Sequence, residues 1–469
     1  MKKFIAIMLV LAAVLGMCAC SGSSDDNSAV EGLQVGWGRV NITPNFLVGI
    51  AGYSDQETRK STDGIVDYLY TTCLAFREND ETVLLFTIDN LAAAATVVEK
   101  MRQKITEVLP DIPAENIFVS ATHSHSAPSL TDSTDEAKKY QDTMFYPACI
   151  EAAQTAVEDL SATTIYAGAT IVENMTFVRH YEMTDGTYAG SNFGDFSKTI
   201  VGHATDSDDE MQLVKFDRAD EEKQDILLVN WQTHPDRATE IGYNSISASL
   251  AGTTRTKIEK DTELLCAYFT GAAGNQNPDT QIASEKNFLN FKEYGDALGQ
   301  AAIDALSGLT VVEGSGIKTA TVDFEVEVDH SWDHMLEQAE EVYNLWKSTD
   351  RATGDALGKT YDFSSVYQAR AIRTRAGMDL TASKELNVFS VGGIGFVNGD
   401  YEMFSDAGLY IKDKSEYDIT IIAEGCHGYI PSAEAYDYRS YEADTGYYAK
   451  GTAEKLAEQF VTMLNGLND

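Results

Sequence analysis

The stretch FVSATHSHSAPS, residues 118–129, begins as an apolar strand and ends on two histidines one residue apart. Two further apolar runs end in the same way. ILLVNW (226–231) enters QTHPD, and LLCAYFT (264–270) enters GAAGNQNP. Short apolar runs bounded by polar or glycine-rich turns read as buried strands. Three such ends predict one shared rim, where α/β enzymes place their chemistry.

Working outward, strands are expected at 33–42, 69–77, 83–90, 116–121, 164–172, 211–217, 225–231, 264–270, 318–328 and 418–423. Helical spacing appears at 92–109, 137–158, 285–307, 332–347, 364–376 and 447–466. This alternation predicts an α/β (α+β) fold, with mixed β-sheets flanked by helices. It leaves the strand order open.

The first 20 residues read as a lipoprotein signal peptide. Lys2 and Lys3 precede an apolar run, Phe4 to Val14, too short to span a bilayer. Small Ala19 before Cys20 makes Cys20 the expected lipid-bearing residue. Residues 21–31, rich in Ser and Asp, read as a flexible tether. The body, 32–469, exceeds one usual core and predicts a domain of two close subdomains. The chain is therefore expected as an exported bacterial lipoprotein facing the periplasm or cell surface, with the membrane reached only through Cys20. Four cysteines remain beyond it, Cys73, Cys149, Cys266 and Cys426, without metal-like spacing. The balance of 35 basic to 73 acidic residues, net −38, excludes a nucleic-acid partner. Oligomeric state is not legible.

The histidines carry the chemistry. Zinc takes neutral imidazole nitrogen, with oxygen ligands completing its shell. In an extended chain His123 and His125 share a face about 6.6 Å apart and can converge on one Zn2+. Alternatively one binds metal and the other moves protons.

Beyond these residues the chain resembles the neutral (non-lysosomal) ceramidase family in its amino-terminal catalytic domain. VGWGRVNITP (35–44) with AGYSD (51–55) is similar to the family's opening strand and turn. SATHSHSAPS (120–129) resembles its zinc segment, and NWQTHPD (230–236) its second zinc histidine. GDYEMFSDAG (399–408) and HGYIPSAEAYDYRSYEAD (427–444) resemble two later blocks. The resemblance implies that His123, His234, Glu402 and Tyr429 hold the zinc. It also implies an active-site role for Arg179. Two nitrogens, a carboxylate and a phenolate suit zinc chemically. Asp89, closing LLFTIDN, is a further candidate at this rim, and Asp236 is placed to act as a base or to orient His234.

The pattern departs from the family in two ways. The family's serine, a nucleophile, falls at Asn277, and its aspartate at Asn275. Asparagine cannot attack a carbonyl, so hydrolysis is expected to use water, with Asn275 or Asn277 donating to an oxyanion and His125 shuttling protons. The chain as given also ends on TAEKLAEQFVTMLNGLND, which predicts a member without the family's smaller carboxy-terminal β domain. The expected function is zinc-dependent hydrolysis of an N-acyl amide in a small-molecule or lipid-like substrate. The alternatives are a surface-tethered binding lipoprotein without catalysis, and a metal-dependent hydrolase of another acyl bond.

Overall fold

The computed structural model describes residues 32–53, 58–236, 240, 242–285 and 290–468. The signal, Cys20 and the tether lie outside them. Two sheets organise the chain. The larger contains β1 (Gln34–Asn41), β2 (Tyr70–Glu78), β3 (Glu81–Ile88), β4 (Ile117–Ala121), β5 (Ser161–Ile171), β6 (Glu210–Arg218), β7 (Ile226–Trp231) and β8 (Leu265–Thr270). Its order is β8-β7-β6-β5-β1-β2-β3-β4, with Thr310–Val311 added beside β5. The smaller runs in chain order, β9 (Ile317–Glu327), β10 (Thr381–Val391), β11 (Ile394–Gly399) and β12 (Thr420–Glu424).

Within these two sheets most pairs are antiparallel, but three are parallel: β3 with β4, β7 with β8, and β11 with β12. A parallel pair needs a crossover. Each of the three has one helix, at Ala95–Thr106, Ser249–Thr262 and Ser405–Lys414 respectively. Buried side-chain bonds to backbone tie the three units to one another. Thr87 Oγ1 donates to Tyr268 O at 2.7 Å, Asn230 Nδ2 to Ile422 O at 2.9 Å, and Asn398 Nδ2 to Val119 O at 3.0 Å. The carboxy ends of all three pairs therefore gather at one place.

The core between the sheets is aromatic. Phe118 stacks on Phe389, and Phe389 on Phe396, each with ring centroids 4.4 Å apart. Phe76 and Phe216 extend this cluster across the larger sheet. Burying each such ring removes roughly 150–250 Å² from water, so this layer is the main apolar fastening between the sheets.

Several expected elements differ in detail. The helix expected over 137–158 is broken into Asp135–Tyr140, a π-helical turn Gln141–Phe145, and Tyr146–Glu158. Pro147 sits in the first turn of the last piece. It has no N–H to continue the ladder, and a wider turn accommodates it. Strands β10 and β11 and the helices Ser249–Thr262, Arg351–Thr360 and Ser405–Lys414 were not expected. The four described cysteines are free and buried. No helix among the described residues is long and apolar enough to cross a membrane.

Candidate metal centre

His123 lies two residues past the end of β4 and has a left-handed backbone, φ 59°. That conformation costs a non-glycine residue roughly 1–2 kcal/mol. It is held by Ser124 N–H donating to Asn90 O at 3.0 Å. Below it Asp89, which closes β3, accepts both Nη atoms of Arg255 at 2.7 and 2.5 Å. It also accepts Thr122 Oγ1 at 3.2 Å. Asp89 thus braces the residue before His123.

His234 follows β7 and points at the same spot. The Nε2 atoms of His123 and His234 lie 3.1 Å apart, and His125 Nε2 lies 3.3 Å from His123 Nε2. The tautomers follow from the other ring nitrogens. His123 Nδ1 meets Leu91 O and His234 Nδ1 meets Ala273 O, each at 2.7 Å. A carbonyl only accepts, so both Nδ1 atoms carry the proton. Ala273 O, not Asp236, therefore orients His234. Burial lowers the His123 pKa to about 4. Burial, together with the positive field of Arg179, holds His234 well below its usual range. Both rings are neutral near pH 7, and their Nε2 lone pairs face each other at 3.1 Å, with His125 Nε2 beside them. A cation between them would relieve the repulsion of the two lone pairs.

Glu402 supplies the matching oxygen. Its Oε2 lies 3.6 Å from His123 Nε2 and 3.7 Å from His234 Nε2, and it is buried without a hydrogen-bond partner. Burial raises its pKa to about 8, against the pull of Arg179. A dication would restore the carboxylate at neutral pH. Glu402–Met403 forms a short parallel ladder with Tyr429–Ile430, in which Glu402 is the direct partner of Tyr429. These two segments follow β11 and β12. The residues present thus fit a metal: converging imidazoles, an orphan carboxylate oxygen and an adjacent phenol.

Arg179 closes one side. Its Nη2 donates to Tyr429 Oη at 3.2 Å and to Gly274 O at 2.9 Å, and its Nη1 to Asn277 Oδ1 at 3.3 Å. Its other partner is Glu442, described by neither composition nor spacing. Both Arg179 Nε and Nη2 donate to Glu442 Oε1, and His180 Nε2 meets Oε2 at 2.8 Å. Strand alternation predicts that His180 faces away from Arg179. The structure corrects this: Arg179 is a bend between Phe177–Val178 and His180–Met183, so the alternation resets. Asn275 turns away from the cluster, its amide bonded to Ser405 N and Oγ.

The residues from Leu33 onward, through both histidine segments and Asn277, match one family model. It is the amino-terminal domain of neutral/alkaline non-lysosomal ceramidases, over residues 33–283. The chain belongs to the neutral/alkaline non-lysosomal ceramidase family. Membership and fold together support a ceramidase-like hydrolase. It is similar to the crystal structure of neutral ceramidase from Pseudomonas aeruginosa, with TM-score 0.68 and 16% identity over 93% of this chain and 75% of that one. A ceramidase complexed with C2 gives TM-score 0.67 and 16% identity, over 94% of this chain and 76% of that one. No curated protein matches. Glu402 and Tyr429 lie beyond the ceramidase segment matched in sequence.

Proposed function

We propose that this chain is a zinc-dependent hydrolase of N-acyl amides, exported and anchored through Cys20. The observation that carries it is the His123–His234 lone-pair contact beside the orphan Glu402 oxygen. His123, His234, Glu402 and Tyr429 would hold the ion, and their Nδ1 and backbone partners fix them in place. When bound, zinc supplies Lewis acidity, polarising the acyl carbonyl and lowering the pKa of water.

The chain's own groups do the remainder. His125 is neutral, since burial and then His123 hold its pKa well below the usual value. It is less buried than its two neighbours, which suits the group that takes a proton from attacking water and hands it to the leaving amine. Arg179 Nη1 and the Asn277 amide stand side by side, which suits a donor pair for the carbonyl oxygen as it gains charge. Water adds its oxygen to the acyl carbon, the C–N bond breaks, and the amine leaves with the proton.

Asn277 at the serine position favours a second reading, a binding protein without turnover. A panel of N-acyl amides and esters, incubated with the zinc-loaded chain, separates them. The hydrolase reading expects acid release that stops on chelation and returns with zinc. Binding without product at saturating zinc would overturn it.

A further inference from the structure

Next to the candidate centre a cavity of about 590 Å3 opens, with Arg179 and Asn277 in its wall. It begins one hydrogen bond from Tyr429. Its far wall comes from the segment around Asn192 and from the helix Arg351–Thr360 with the turn that follows. The chemistry of this wall is polar, which is unexpected beside a site whose family name points to a lipid amide.

Two features show a built surface. Arg351 Nη2 donates to Asn192 Oδ1 at 3.0 Å, and Arg179 Nη1 donates to Asn277 Oδ1 at 3.3 Å. Each guanidinium thus fixes an asparagine amide by its oxygen and leaves the amide nitrogen as the donor. Asn192 holds this place with a left-handed backbone, φ 65°. The second feature is Ser365. It is 2% exposed, it lines the cavity, and its Oγ has no partner. Ser365 precedes the helix Val366–Arg375, yet its hydroxyl does not cap that helix. A buried hydroxyl left unpaired costs free energy, and Ser365 carries that cost in the wall of this cavity.

The remaining wall interleaves acceptors and donors. Lys359 and Asp279 bring one cation and one anion, neither with an ion-pair partner among the described residues. Phe196, 46% exposed, offers an apolar platform. Fixed amide donors, an orphan hydroxyl, balanced charge and one aromatic face suit a compact polyol with C–H faces. They do not suit a long alkyl chain, which asks for a predominantly apolar wall.

We propose that this cavity is the subsite for the non-acyl part of the substrate, and that it selects a hydroxyl-rich, uncharged N-acyl compound of the amino-sugar type over a two-chain lipid amide. The proposal rests on the hydrolase reading and deepens it.

The test uses the full zinc-loaded chain, with N-acetylglucosamine as the sugar probe and an N-acyl sphingoid base as the lipid amide. Saturation-transfer NMR reads binding, and acid release reads turnover. Sugar binding is expected, weakened about tenfold or more by Asn192→Ala. Lys359→Met, on an exposed helix face, is the second variant should Asn192→Ala fold poorly, and the same direction is expected. Sugar binding without cleavage would keep the subsite and sink the hydrolase. Cleavage of the sphingoid amide with no sugar binding would sink the subsite and keep the hydrolase. Neither binding nor cleavage would end both.

Discussion

Arg179 and Glu442 stand 263 residues apart in sequence and form one buried ion pair, with Arg179 Nε at 2.8 Å and Nη2 at 2.5 Å from the same carboxylate oxygen. The second oxygen of Glu442 is taken by His180. A fully buried carboxylate is thereby satisfied on both sides, and the guanidinium is fixed with Nη1 toward Asn277 and the cavity.

The first prediction concerns this pair. Burial raises the Glu442 pKa, but His180 and Arg179 outweigh it and lower the pKa from 4.5 to about 2. A depressed carboxylate stabilises the fold above its unfolded pKa, and the contribution fades as pH falls through the folded value. Urea unfolding of the wild type should therefore lose stability between about pH 5 and about pH 2, by on the order of 3 kcal/mol from this group. Glu442→Gln should be less stable at pH 7 by about 3–5 kcal/mol, since it leaves a buried cation unpaired. It should lack that part of the acid loss.

The second prediction divides the histidines. His123→Ala and His234→Ala should each lose bound zinc, measured by elemental analysis of purified protein. His125→Ala should keep near-stoichiometric zinc and lose roughly 10²–10⁴ in turnover, the usual worth of general acid–base catalysis. Loss of zinc from His125→Ala would make it a ligand.

The third concerns Arg179. Lysine keeps the charge but not the planar fork. Arg179→Lys should lower kcat by about 10²–10³, the cost of losing an oxyanion donor, with little change in zinc content. An Arg179→Lys enzyme with wild-type kcat would remove Arg179 from the oxyanion role.

The fourth concerns Gly274, whose N–H donates to Met403 O at 2.8 Å. A Cβ there would lie 2.8 Å from Met403 O and 2.9 Å from Glu402 O, both backbone atoms with no freedom to swing aside. Gly274→Ala should displace the segment that carries Glu402 and weaken zinc binding about 10–100-fold, the effect typical of losing support behind a ligand. Competition with a chelating dye reads this.

The convergence of His123 and His234 was legible because each follows an apolar run, and such runs are local. Glu402 and Tyr429 were legible only through the resemblance, since a lone acid and a lone tyrosine carry no spacing signal. What brings them together is the parallel register between two-residue strands, a tertiary fact. Glu442 stood inside the quoted RSYEAD block, but nothing local says that a carboxylate there faces an arginine 263 residues away. The β10–β11 hairpin was missed although its turn, Gly392-Gly393 between apolar strands, is a recognised hairpin signal. The crossover helix Ser249–Thr262 escaped for a different reason: SLAGTTRTKIEKDT has too few apolar residues to show a stripe.

The central claim is that one divalent cation joins four remote segments. Diffraction from crystals of the zinc-loaded protein, collected on both sides of the zinc absorption edge, tests it most directly. The account predicts a single anomalous peak about 2.0–2.2 Å from His123 Nε2, His234 Nε2 and a Glu402 oxygen, with Tyr429 Oη adjoining. No peak among these atoms at saturating zinc, or a peak held by other residues, would contradict it.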